Sequence, residues 1–212
     1  MAHVFDQDYA AAAVAVNLLS HVRLILKMDK AYTNYSAQYL LDNACSKKEA
    51  GQGETDRDSS KLTAKDCLEF VFKEGIPKED DWTHLGCLSK PPSAYNPARV
   101  YMKGKVIEPE DLNEAIIFMV QQPIGAKLHV FSPELDDHVG ENGIYIGRSS
   151  DETRYVGLVE VMIVAMKRIT GEQPIATVKM YHKNKKDTLV TVALDTKSGP
   201  LLVDFFLPLL SR

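Results

Sequence analysis

QQPIGAKLHVF, residues 121–131, is where the texture of the chain changes. Pro123 lacks a backbone N–H and its ring crowds the preceding turn, so a helix running into it must stop. From Ile124 onward the chain is rich in the β-branched and aromatic residues that suit a pleated surface. Upstream, residues 109–122 predict a helix, with Glu110 and Asp111 at its electropositive start. Downstream, strands are expected over residues 124–131, 143–147, 155–167, 175–181 and 188–194. Gly171, Gly199 and the loop 183–187 punctuate them.

The amino-terminal part has a different pattern. Residues 7–28 contain neither Gly nor Pro, are rich in alanine, and carry apolar residues on nearly every face. That describes a helix buried on most sides. A shorter helix is expected over 36–46, with Ser36 as its N-cap, followed by a polar loop at 46–62. Thr63 then caps a helix that runs through Glu74 and is closed by Gly75. Residues 76–106, with Pro77, Pro91, Pro92 and Pro97, read as loop and extended chain. The fold class is therefore α+β: a mainly helical half, 1–106, precedes a mainly β half, 107–212.

Composition narrows the functional classes. The 212 residues are 45% hydrophobic and 25% charged, enough to bury a core of useful size. A net charge of −4 argues against a nucleic-acid partner, because the densest basic stretch is only residues 182–186 and Asp187 follows it. Cys45, Cys67 and Cys87 show no CxxC spacing, so no zinc site or redox pair is suggested. One bridge with a leftover thiol would suit an oxidising compartment, and three thiols the cytosol. Residues 10–19 imitate a signal core, but Asp6 and Asp8 stand where a signal needs positive charge. Residues 201–210 contain Asp204 and Pro208 and are too short to cross a bilayer. No membrane association and no export signal are expected, which favours the cytoplasm over a secretory origin. The acidic group Glu134, Asp136, Asp137, His138 and Glu141 lacks the order of a calcium loop and reads as an exposed loop. No metal or cofactor is expected.

Several segments, in order, resemble the papain-like cysteine peptidases. YSAQYLLDN, residues 35–43, is similar to the family's L-S-E-Q-x-L-V-D-C, keeping Ser36, Gln38, Leu40 and Asp42. FVFKEGI at 70–76, with Glu79, Asp80, Asp81 and Trp82 after it, resembles the approach to the family's Tyr-Pro-Tyr turn. QPIGA at 122–126 is similar to its G/Q-P-V-x-V strand entry, and GIYIG at 143–147 to its G-I-Y-x-G strand. Residues 161–164 and 178–179 are similar to the strands that carry the family's histidine and asparagine. The resemblance covers roughly residues 5–199. It implies a papain-like fold, with an antiparallel, barrel-like β half and a cleft between the halves.

A thiol peptidase needs a thiolate, an imidazole to move its proton and a group that orients the imidazole. Aligned on Gln7, which corresponds to the oxyanion-hole glutamine, the nucleophile position falls on Ala13. The histidine position falls on Val159 and the asparagine position on Met180. No cysteine precedes Cys45, and no histidine lies between His138 and His182, so a small shift in alignment restores nothing. Bridge cysteines of the family are replaced too, by Ala10 and Asn43. The resemblance thus implies a pseudopeptidase that is not an enzyme. Its partners would be a peptide, a cystatin-like inhibitor or another protein. Two alternatives stand beside it: an active cysteine-type endopeptidase with relocated catalytic residues, and a degenerate globular protein with no selected activity.

Overall fold

The structure, a computed structural model, describes residues 6–44, 61–82, 96–133, 135, 143–168, 173–196 and 199–211. The chain divides into two compact units. One is made of Gln7–Ile107 and Pro208–Arg212, the other of Met1–Asp6 and Glu108–Leu207. Together they form a mixed α+β fold with four helices among the described residues and a large, mostly antiparallel sheet.

The first unit is built on helix α1, Gln7–Ile25. Residues 10–16 are buried on every face, and the alanines among them let neighbouring helices approach closely. Helices α2 (Ala37–Asn43) and α3 (Ala64–Glu74) both pack on α1. The Asp8 carboxylate accepts the Leu62 N–H at 2.9 Å, tying the start of α1 to the entry of α3. α1 stops three residues short of the expected end. The N–H groups of Lys27 and Met28 turn back to the carbonyls of Leu24 and Arg23, and Lys27 takes φ 57°, a left-handed cap more often filled by glycine. Arg23 then holds Asp29 by two hydrogen bonds of 2.8 and 2.9 Å, and the Tyr35 hydroxyl donates to the same carboxylate at 2.8 Å.

The caps of α2 and α3 fall where the sequence places them. The Ser36 hydroxyl accepts the Tyr39 N–H at 3.0 Å and donates to the Trp82 carbonyl at 2.8 Å. Asp42 accepts the Trp82 indole N–H at 3.0 Å, so the Ser36-to-Asp42 turn clamps Trp82 at both ends. Thr63 and Asp66 form a reciprocal capping box, and Gly75 ends α3 at φ 75°. The segment 76–106 holds more than loop: β1 (Ile76–Pro77) pairs with β2 (Arg99–Val100), and β3 (Gly104–Ile107) follows. Ser211 donates its N–H to the Lys103 carbonyl at 2.9 Å, which brings the end of the chain beside β3.

The second unit carries helix α4 (Leu112–Met119) and strands β4 (Ile124–Ser132), β5 (Ile144–Tyr145), β6 (Arg154–Lys167), β7 (Ile175–Met180), β8 (Thr188–Ala193) and β9 (Leu202–Leu210, whose end belongs to the first unit). Their order is β9-β4-β6-β7-β8-β5. Pairing is antiparallel except between β5 and β8. α4 is shorter than the 109–122 expected from sequence, because Asp111 is its cap: the carboxylate accepts the Glu114 N–H at 2.9 Å, leaving Pro109 and Glu110 outside. β9 was not anticipated at all, since Asp204 and Pro208 break its apolar run. It pairs with β4, and the Phe206 ring lies over Gly125, where a Cβ would come within 2.2 Å of it. Tyr145 is fully buried; its hydroxyl donates to the His129 carbonyl and accepts the Phe131 N–H, at 3.0 and 2.8 Å.

Candidate functional site

The positions that the peptidase resemblance singled out lie in both units. Gln7 is the first residue of α1 and Ala13 sits on the same helix, 3% exposed. Six residues on one continuous helix separate their Cα atoms by about 9 Å along the axis and turn their side chains about 120° apart. Val159 and Met180 belong to the second unit, 2% and 1% exposed. Val159 on β6 faces Leu128 of β4 across the ladder, and Met180 ends β7 opposite Thr188 of β8. They are on adjacent strands but not directly paired: Met180 lies one residue past the Met162–Lys179 pair, and Val159 three residues from it. A methyl, an isopropyl and a thioether are what the three positions offer. None can be ionised to a nucleophile or a base.

Other thiols and imidazoles are differently placed. Cys67 is 0% exposed within α3, whereas a reactive thiolate has to reach its substrate. Cys45 and Cys87 lie outside the described residues, as does the acidic group around His138. His21 Nδ1 is 2.7 Å from the Asn17 carbonyl oxygen, and its ring packs edge-on against Tyr32. His129 Nδ1 is 3.0 Å from the Tyr155 hydroxyl. His182 Nε2 is 3.1 Å from the Thr188 hydroxyl. Among the described residues no group of three or more His, Cys, Asp or Glu side chains is arranged to hold a metal ion, and no helix is long and apolar enough to cross a membrane.

A concave site does exist in the second unit. Residues 108–112 at the entry to α4, Leu194, Pro200 and residues 202–205 of β9 enclose a cavity of about 400 Å³, within the usual range for ligand pockets. β9 shapes it through a bulge. Gly125 pairs with Phe206 but Lys127 with Val203, so β9 spends one residue more than β4 over the same span. Asp204 absorbs the extra residue at φ 52°, a conformation that aspartate tolerates better than most side chains. The bulge directs its carboxylate to the Lys127 ammonium, 2.8 Å away. Burial pulls the Lys127 pKa down, but Asp204, with Glu160 and Glu108 beyond it, more than offsets this and holds it above the ordinary lysine value. Glu160, 7% exposed, faces Lys127 in the β4–β6 register. Sequence reading did not find this cavity. The acidic run Glu108, Glu110 and Asp111 was visible, but nothing along the chain joins it to Asp204.

Comparison with known proteins decides the family. A protein of Arabidopsis thaliana, HEAT-INDUCED TAS1 TARGET 1, is 40% identical to this chain over 96% of its length and 88% of the relative's. The chain belongs to the HEAT-INDUCED TAS1 TARGET family. HEAT-INDUCED TAS1 TARGET 4 of the same plant is 42% identical, over 97% of this chain and 90% of its own. The family's N-terminal domain matches residues 3–46 and 41–103. Among solved structures the fold is that of papain-like cysteine proteases. The ragweed pollen protease Amb a 11, in its proform, superposes with a TM-score of 0.67 at 16% identity, over 96% of this chain and 60% of that one. Bromelain of Ananas comosus, in complex with the E64 inhibitor, gives 0.66 at 15% identity, over 97% and 91%. The Carica candamarcensis protease CMS1MS2 gives 0.66 at 14%, over 97% and 90%. The peptidase resemblance is therefore one of fold, whereas the family is that of the heat-induced proteins.

Proposed function

We propose that this chain is a catalytically inactive protein of papain-like fold that works by binding a peptide or another protein. One observation supports the reading: Ala13, Val159 and Met180, which the sequence resemblance aligns with the nucleophile, histidine and asparagine of the papain-like peptidases, are apolar and buried. Gln7, at the first position of a helix and turned away from Ala13, then serves as a helix-start residue and not as an oxyanion donor. In this reading residues 1–106 and 107–212 are the two sides of a papain-like pair, the second barrel-like, with a cleft for the bound segment. A cystatin-like inhibitor is one occupant of suitable chemistry. The relatives' name speaks of induction by heat, and the reading extends that to this chain: a binding protein whose amount rises on warming.

The test is hydrolysis by the purified protein. It is incubated with a fluorogenic peptide library at pH 5–8, with and without a thiol-directed epoxide. No turnover and no covalent adduct is the expected result. Hydrolysis that the epoxide abolishes would overturn the reading.

A further inference from the structure

The cavity beside α4 is apolar within and acidic at its mouth. Leu194, Leu202 and Phe205 are buried in its wall, while the lining residues Glu108, Glu110, Asp111 and Asp204 are exposed. No lysine or arginine lines it among the described residues; Lys127 is engaged from outside by Asp204. Asp204 is paired with Lys127 and Asp111 caps α4, so Glu108 and Glu110 are the carboxylates that bias the apolar hollow toward a cation that also carries an apolar body. The helix leading away adds apolar surface, since Ile117 is 64% and Val120 85% exposed and only Ala115 of α4 is fully buried.

A free inorganic cation would gain nothing from the leucine and phenylalanine wall. A purely apolar ligand would gain nothing from the carboxylates. Arginine and lysine next to a leucine-sized side chain satisfy both parts, because their methylene stems lie along apolar surface while their heads reach the rim. The volume suits a side chain or two and not a folded domain. We propose that this cavity is a docking site for a basic, leucine-containing segment of a partner protein, with an apolar side chain in the hollow and its cationic neighbours on Glu108 and Glu110. The site is separate from the positions of the peptidase triad, so it stands or falls independently of the missing catalysis.

The experiment measures fluorescence anisotropy of the full chain with a labelled ten-residue peptide alternating arginine and leucine. A glutamate–leucine peptide and spermine are the comparison probes. Expected are binding of the arginine–leucine peptide that weakens about tenfold in the double variant Glu108→Gln/Glu110→Gln, and at least threefold between about 0.05 and 0.2 M salt. Leu112→Arg, which places a cation in the hollow, should abolish binding. Glu79→Gln/Asp80→Asn, in the other unit, should leave it unchanged. All substituted side chains are exposed or half-buried, and a thermal melt confirms that each variant is folded. Equal loss in the Glu79/Asp80 control, or spermine binding as tightly as the peptide, would show attraction to net charge alone and overturn the proposal. So would concentration-dependent self-association lost in the Glu108/Glu110 variant, since a second copy would then be the occupant.

Discussion

Gly125→Ala is the substitution on which the packing of the β unit can be tested most sharply. A Cβ at this position would lie 2.2, 2.3 and 2.7 Å from three atoms of the Phe206 ring. Carbon atoms in contact settle at about 3.5–4.0 Å, so the ring would have to retreat by about 1.5 Å. Phe206 is 1% exposed and sits on β9 directly opposite Gly125, which leaves it no empty space to enter. Overpacking of this kind costs about 1–3 kcal/mol, and the depth of the clash places this case near the upper end. Each kcal/mol lowers the midpoint of a chain of this size by about 2–4 °C, so a fall of about 6–12 °C is expected. Far-UV circular dichroism follows the sheet during the melt. Trp82, the single tryptophan, reports the helical unit by its emission. Phe206→Leu supplies the second arm of the cycle. It removes the colliding ring, so the double variant should be at least about 1 kcal/mol more stable than the sum of the two single changes predicts. Additive effects, or a Gly125→Ala protein melting within about 2 °C of the parent, would refute the account.

Two further outcomes follow from the helical unit. Ser36→Ala removes both the N-cap of α2 and the donor to the Trp82 carbonyl, in a position 1% exposed. A loss of about 2 kcal/mol in urea unfolding is expected, with a red shift of Trp82 emission in the native state. Asp29 should supply an acid transition. The Arg23 hydrogen bonds, against burial and helped by Tyr35, hold its carboxyl below the ordinary 3.8 in the folded chain. The stability gained from this pairing is therefore present above about pH 4 and lost as pH falls through the lower, folded value. Melting temperatures taken from pH 5 to 2.5 should fall less steeply in Asp29→Asn than in the parent; parallel slopes would exclude Asp29 as a contributor.

Elements whose limits rest on local chemistry were legible without a structure. Thr63 and Gly75 specify α3 at its two ends, because a cap and a left-handed stop act within one turn of chain. Pro123 separates α4 from β4 by the same short-range logic, and Val159 and Met180 can be recognised as chemically inert whatever surrounds them. Family membership was less legible. Motifs shared with papain-like peptidases report the fold, and at 16% identity or less to the protease structures cited here the fold is all they report.

Tertiary structure decided the rest. An apolar run interrupted by Asp204 and Pro208 makes a poor strand in isolation. It becomes β9 because β4 supplies its hydrogen bonds and the bulge at Asp204 takes up the misfit. Gly125 looks like a weak point in a strand until Phe206, 81 positions further along by residue number, is found above it. The cavity has the same origin, for Glu108 and Asp204 meet only through the pairing of a late strand with an early one. Caps, breakers and residue types act over a few ångströms of contiguous chain and can be read directly. Pairing register and enclosure are set by which distant segments find one another, and that is settled only when the whole unit packs.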